Sequence, residues 1–172
     1  MSVATRDVSY FSGVVTAPFG DVTVVASDLG VRYVMFSEDA HPKPLSNIDI
    51  HDDPEHPLVK STLDQLREYF NGARTAFDVP LDLHGTEFQV ATWRSLAEIP
   101  FGKTISYGEQ AALIGRPKAV RAVGGANGRN PVAIVLPCHR VIGANGSLTG
   151  FGGGIAVKQW LLQHERSVIA NS

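Results

Sequence analysis

The chain predicts a two-part fold: an α/β N-terminal domain built on a small antiparallel sheet with a covering helix, then a mainly α domain containing a helix-turn-helix. Three observations carry this expectation. Short β-rich runs fill the first 36 residues, one amphipathic helical stripe follows, and two capping-box signatures separated by Pro and Gly come after residue 85. At 172 residues with 44% apolar content, the chain can build one sizeable core or two small ones, which argues against disorder.

The strands are expected at Phe11 to Thr16, Val22 to Ala26 and Val31 to Phe36, with Ala17-Pro18-Phe19-Gly20 as the first turn. Residues 39 to 57 are rich in Asp, His and Pro without an apolar period and read as a surface loop. His41, His51 and His56 lie in it, but without cysteine or tight ligand spacing they read as solvated side chains, not as metal ligands. Val59, Leu63, Leu66 and Phe70 form a helical stripe that Gly72 can end. Residues 73 to 85 run extended, and His84-Gly85 marks the expected boundary between a domain at 1–84 and one at 85–172.

The second domain opens on Thr86-Glu87-Phe88-Gln89, a capping box whose helix should reach about Glu98, before Pro100 and Gly102. Ser106-Tyr107-Gly108-Glu109 is a second box, starting a short helix through Ile114 that Gly115 stops. Arg116-Pro117 should restart a helix to about Asn127, with Pro117 in its first turn. Two helices joined in this way suggest a helix-turn-helix.

Charge is divided unevenly. Residues 1 to 86 carry 6 Lys/Arg against 13 Asp/Glu, a balance of −7, while residues 87 to 172 carry 9 against 4, a balance of +5. The overall −2 therefore hides a second half suited to a polyanion. Lys118, Arg121 and Arg129 sit in or beside the second helix among Ala122, Gly124, Gly125 and Ala126, small residues that serve either helix packing or a close approach of its backbone to another backbone. The start of the chain lacks a basic segment followed by an apolar run, and no stretch nears the roughly 18 apolar residues of a membrane span, so the protein is expected to stay where it is made.

Cys138 is the only cysteine, which excludes an intramolecular disulfide and gives any sulfur chemistry one address. The apolar run Val132 to Leu136 reads as a buried strand delivering Cys138 to a turn, where His139 and Arg140 are candidate activators of a thiolate. Neighbouring side chains on an extended segment point to opposite faces, so a tight turn or bridging water would be needed for His139 to serve Cys138.

Pro137-Cys138-His139-Arg140-Val141-Ile142-Gly143 resembles the active-site signature of the O6-alkylguanine-DNA alkyltransferases, direct-reversal DNA repair proteins. Thr86-Glu87-Phe88-Gln89, Trp93, Ile99-Pro100-Phe101-Gly102, Ser106-Tyr107-Gly108, Ala119 to Gly124, Asn127, Asn130-Pro131 and Gly150-Phe151-Gly152-Gly153 follow in the family's order. The resemblance spans residues 84 to 166, and the first third is compatible with the family's variable α/β domain.

That resemblance implies a stoichiometric, irreversible transfer of an alkyl group, such as methyl, from O6-alkylguanine in DNA to Cys138, with the base flipped out of the duplex. Activity on O4-alkylthymine is left open. The product is a thioether, so each molecule acts once, and no cofactor is implied. His139 would take the thiol proton through a water, Glu165 would orient and charge-stabilise His139, and Tyr107 would donate a proton near the leaving oxygen. Asn130 would hold the active-site turn together. Arg121 would enter the base stack in place of the flipped nucleotide, and Ala122, Gly124 and Ala126 would let the helix enter the minor groove. Lys118 and Arg129 would contact phosphates. Tyr107, the Val141 carbonyl and the backbone around Phe151 and Gly152 would bind the guanine.

The implied partner is double-stranded alkylated DNA and not a membrane, met in the cytoplasm by a monomer, with cooperative binding left open. The sequence departs from many relatives with Phe151 in place of tyrosine and from some with Gly152 in place of serine, changes that main-chain contacts should survive. It lacks the cysteines with which some members bind structural zinc, and the cysteine-bearing phosphotriester-repair domain of others, so neither feature is expected. Two rival readings remain: a damage sensor that flips the base without a nucleophile, which retention of Cys138 disfavours, and a cysteine hydrolase, which leaves Arg121 and its helix without a purpose.

Overall fold

The computed structural model describes residues 8–39, 43, 45 and 48–172; His41 lies outside them. Strands β1 (Ser9–Ala17), β2 (Gly20–Ala26) and β3 (Val31–Phe36) form an antiparallel meander, because Val15, Val22, Val24 and Val34 alternate inward from more polar neighbours. A fourth strand, β4 (Asp49–Asp52), pairs parallel with β1, giving the order β3-β2-β1-β4. The sheet is therefore mixed, and part of the stretch read as loop is an edge strand. Its sequence Asp-Ile-His-Asp hides this, since an edge strand needs only a pairing partner and Ile50 is its one apolar residue.

Helix α1 (Pro57–Phe70) covers the sheet through Val59, Leu63 and Leu66. Gly13 makes that close packing possible: a Cβ there would lie 2.7 Å from Leu63 and 2.9 Å from Val59. His56 precedes α1, stacks on Phe11 at 4.3 Å and bonds Asp28 at 2.9 Å, while His51 bonds Asp49. Among the described residues, no group of three or more His, Cys, Asp or Glu side chains is arranged to hold a metal.

The C-terminal part is helical. Both capping boxes form, Thr86 with Gln89 (3.0 and 3.1 Å) at the start of α2 (Glu87–Ser95) and Ser106 with Glu109 (3.1 and 3.4 Å) at the start of α3 (Tyr107–Leu113). Helix α2 closes with a 3-10 turn at Leu96–Glu98. Helix α4 (Val120–Gly128) begins later than its sequence suggests, because Arg116, Pro117 and Lys118 belong to the connecting turn and Pro117 is not a helix-start residue. The pair α3 and α4 forms the helix-turn-helix. A buried amide pair locks it: Asn127 Nδ2 donates to Gln110 Oε1 at 2.6 Å and Gln110 Nε2 to Asn127 Oδ1 at 3.1 Å. Trp93 of α2 ties in by donating from Nε1 to the Ala126 carbonyl at 2.7 Å. A short parallel pair, β5 (Ile105–Ser106) with β6 (Val141–Ile142), and the final helix α5 (Ile155–Ala170) complete the chain.

The two parts share one core, running from Val22 and Val24 through Leu66 and Trp93 to Cys138 and Leu161. The outer edge of β3 is covered at both ends, by Leu81 of the connecting segment and by Val132, with Val34 N–H donating to the Pro131 carbonyl at 2.8 Å. Among the described residues, no helix is long and apolar enough to cross a membrane.

Candidate active site

Val132 to Leu136 is buried, as its composition requires, but it is a tight turn and not a strand. Asn130 explains the difference. Its Oδ1 accepts from the Val132 N–H at 3.0 Å and its Nδ2 donates to the Leu136 carbonyl at 2.8 Å, so one buried side chain clamps both ends of the run. Leu136 N–H closes on the Val132 carbonyl at 3.0 Å, and Ile134 is held at φ 71, a conformation that costs a branched side chain about 1–3 kcal/mol. The folded-back run delivers Cys138 to a 3-10 turn, Cys138–Arg140, placing three chemically active residues within one turn.

Cys138 is buried, and burial pushes its thiol up, opposed by the Asn130 amide and the charge of Lys158. It therefore rests protonated and needs a base when it reacts. His139 is fully buried. Its Nε2 lies 2.5 Å from Glu165 Oε2, and a carboxylate only accepts, so Nε2 donates and Nδ1 is left as the basic nitrogen. Nδ1 is buried and bonds no other group among the described residues. Burial also lowers the His139 pKa, against the pull of Glu165, keeping the ring neutral and able to take a proton.

Glu165, in α5, is likewise fully buried, and five hydrogen bonds compensate its desolvation. Oε2 accepts from His139, from Tyr69 at 2.6 Å and from Arg140 Nη2 at 3.2 Å; Oε1 accepts from Arg140 Nε at 2.9 Å and the Gly102 N–H at 3.0 Å. Burial alone would raise its pKa, but the hydrogen bonds from His139 and Arg140 and the charge of Arg140 hold it far below the carboxylate range. Arg140, which the sequence offered as a cation for the thiol, is committed to this carboxylate and to the Ile99 carbonyl at 2.7 Å.

Tyr107 opens α3, half-buried, with its hydroxyl donating to the Thr149 carbonyl at 2.9 Å. Burial, with the nearby Cys138, raises its pKa, so it keeps its proton at neutral pH. Lys158 went unnoticed in the sequence. It is almost fully buried, and its Nζ donates to the Val141 carbonyl at 2.7 Å and the Thr149 carbonyl at 3.1 Å, stitching together the two ends of the loop 142–148. The spacing Lys158, Leu161, Leu162, Glu165 places it on the inward face of α5, a signal that a search for apolar residues passes over. Phe151 is buried against Phe36 at 5.5 Å. A Cβ at Gly152 would lie 2.8 Å from Asp39 Oδ1, so serine at this position would displace Asp39.

Along α4 and its flanks, Arg121, Ala122, Lys118 and Arg129 are exposed and Gly124 is half-buried, with its α-carbon side facing the Tyr107 ring. Ala126 is corrected from the expected outer surface: it is buried, and its carbonyl accepts from Trp93. The exposed face of α4 and the Tyr107 side of the site thus adjoin, while His139, Glu165 and Arg140 lie behind them.

A helix-turn-helix set beside a single buried thiol, with an imidazole and carboxylate paired behind it, is the class that fold and site define. Comparison with known proteins assigns it further. Residues 87–167 match the model of the family described as 6-O-methylguanine DNA methyltransferase, DNA binding domain, and residues 10–83 match that of its ribonuclease-like domain. A methylated-DNA--protein-cysteine methyltransferase of Mycobacterium bovis is 56% identical over 117 residues, 68% of this chain and 71% of the relative. One from Methanosarcina acetivorans is 45% identical over 153 residues, 88% of this chain and 95% of the relative. The crystal structure of Mycobacterium tuberculosis OGT in complex with DNA superposes with a TM-score of 0.82 at 43% identity, covering 94% of each chain. The chain belongs to the methylated-DNA--protein-cysteine methyltransferase family.

Proposed function

We propose that this protein repairs O6-alkylguanine in double-stranded DNA by moving the alkyl group irreversibly onto Cys138. One observation carries the reading: the thiol shares a turn with an imidazole whose Nε2 is engaged by Glu165, leaving Nδ1 as the base, beside an exposed cationic helix face. Cys138 passes its proton to His139 Nδ1 through a water, and Glu165 stabilises the imidazolium. The sulfur attacks the saturated carbon on O6; the S–C bond forms as the C–O6 bond breaks, and that electron pair leaves on guanine. Tyr107, still protonated at neutral pH, supplies a proton to the departing base. The thioether has no carbonyl for water to attack, so the protein is spent after one transfer.

In the same reading Arg121 fills the space of the flipped nucleotide, Ala122 and Gly124 allow α4 into the minor groove, and Lys118 and Arg129 contact phosphates. The Val141 carbonyl keeps one lone pair beside Lys158, and with the backbone at Phe151 and Gly152 it forms the edge of the base pocket. The chain works as a monomer in the cytoplasm, residues 1–84 supporting residues 85–172. Intact-protein and peptide mass spectrometry after incubation with excess duplex containing O6-methylguanine is the test. One methyl group at Cys138 and repair ending at one guanine per protein is the expected result, with Cys138→Ser binding the lesion without transfer. Lesion binding with no adduct would replace this reading with a damage sensor.

A further inference from the structure

The paired His139 and Glu165 do not stand on the C-terminal part alone. Tyr69 lies near the C-terminal end of α1, completely buried, and its ring packs among Phe70, Phe77, Phe101 and His164. Phenylalanine would fill that space equally well. A hydroxyl is tolerated there only with a partner, and its partner is Glu165 Oε2 at 2.6 Å, the oxygen that His139 Nε2 also uses. The same residue makes a second tie: His164 Nε2 donates to the Tyr69 carbonyl at 2.6 Å, one residue before Glu165, and Trp160 stacks on His164 at 4.7 Å. The end of α1 is therefore tied to α5 at two consecutive residues, His164 and Glu165.

We propose that Tyr69 is a positioning residue for alkyl transfer: by donating to Glu165 Oε2 it fixes that oxygen for His139 and withdraws charge from it, so the N-terminal part sets the basicity of the site. This rests on Cys138 being the acceptor. The groups facing the pair are Arg140 and Cys138 from the 3-10 turn, Lys158 and His164 from α5, and Tyr69 from α1. Of these only Arg140 and Tyr69 side chains bond the same carboxylate alongside His139, and only Tyr69 comes from the first part of the chain.

The sign follows from charge. Removing the hydroxyl concentrates negative charge on Oε2, stabilises the His139 imidazolium and raises the pH at which His139 becomes a base. Single-turnover methyl transfer from O6-methylguanine duplex should therefore show, for Tyr69→Phe, an acid limb displaced to higher pH by about one unit, the scale of one hydrogen bond to a charged group. Replacing Tyr69 with 3,5-difluorotyrosine, isosteric but a stronger donor, should displace the limb to lower pH. Both variants should keep the far-ultraviolet circular dichroism of the wild type. If the wild type transfers methyl but neither variant moves the limb, or if Tyr69→Phe merely lowers Tm and rate with the limb fixed, Tyr69 is a packing residue and the proposal fails. A wild type that transfers no methyl at all defeats the underlying reading instead.

Discussion

At the level of single residues, burial sets the protonation of the site and leaves a signature in stability. His139 is held neutral because its ring is sealed from water, whereas the unfolded chain exposes a histidine that protonates near pH 6.5. A folded pKa below the unfolded one means that stability is fully present above about pH 6.5 and is lost as pH falls through the gap. Glu165 adds a second loss lower down: its depressed pKa contributes stability above the ordinary carboxylate value of about 4.3, removed as pH falls further. Cys138 acts at the other end, its raised pKa contributing below about pH 8.5 and fading as pH rises. Thermal unfolding from pH 7.5 to 3.5 should thus show two descending steps in Tm. His139→Gln should flatten the upper step and keep part of the lower one; an unaltered upper step would show that His139 is not held neutral. The same burial explains what a reader of the sequence can and cannot see here. Cys138 and His139 announce themselves by adjacency, but the service of Tyr69 and Lys158 depends on bonds to residues 96 positions and 9 to 17 positions away, respectively.

At the level of elements, legibility follows the range of the interaction that forms each one. The starts of α2 and α3 are written in four consecutive residues, Thr86 to Gln89 and Ser106 to Glu109, and the structure closes both boxes. The Val132 to Leu136 run has the composition of a strand, yet Asn130 bends it back on itself, because a buried side-chain clamp outweighs β propensity over five residues. Strand β4 needed β1 as its template, 40 residues earlier, and so could not be seen locally. Helix α4 was legible in kind but not in start, since Pro117 serves the turn. Its exposed Arg121 now has a definite task to be tested. Extruding a base from the duplex costs a few kcal/mol, and a side chain occupying the gap lowers that cost, whereas a free base needs no extrusion. Arg121→Ala should therefore slow transfer from duplex O6-methylguanine by roughly tenfold or more, about 1.4 kcal/mol, while leaving the reaction with free O6-benzylguanine near the wild-type rate. Equal losses on the two substrates would remove Arg121 from that role.

On the scale of the whole molecule, one core joins the sheet to the helices, but charge separates them. The chain as a whole is at −2, a value that would keep a uniformly charged protein off a polyanion, while residues 87 to 172 stand at +5. Affinity for duplex DNA must then come from a local set of cations that displace counterions from the phosphates, and not from net attraction. Lys118 and Arg129, exposed just before and just after α4, flank the exposed Arg121 next to the site, whereas Arg140 and Lys158, both buried and engaged with protein acceptors, cannot contribute. Each phosphate contact accounts for about one unit of slope in a plot of log affinity against log salt. Lys118→Gln with Arg129→Gln should lower that slope by about two, weaken binding to undamaged and alkylated duplexes alike, and leave the reaction of Cys138 with free O6-benzylguanine unchanged. Fluorescence anisotropy on a labelled duplex from 50 to 200 mM salt measures the slope. A slope identical to that of the wild type would mean that other cations carry the phosphates, and would move the DNA path off the ends of α4.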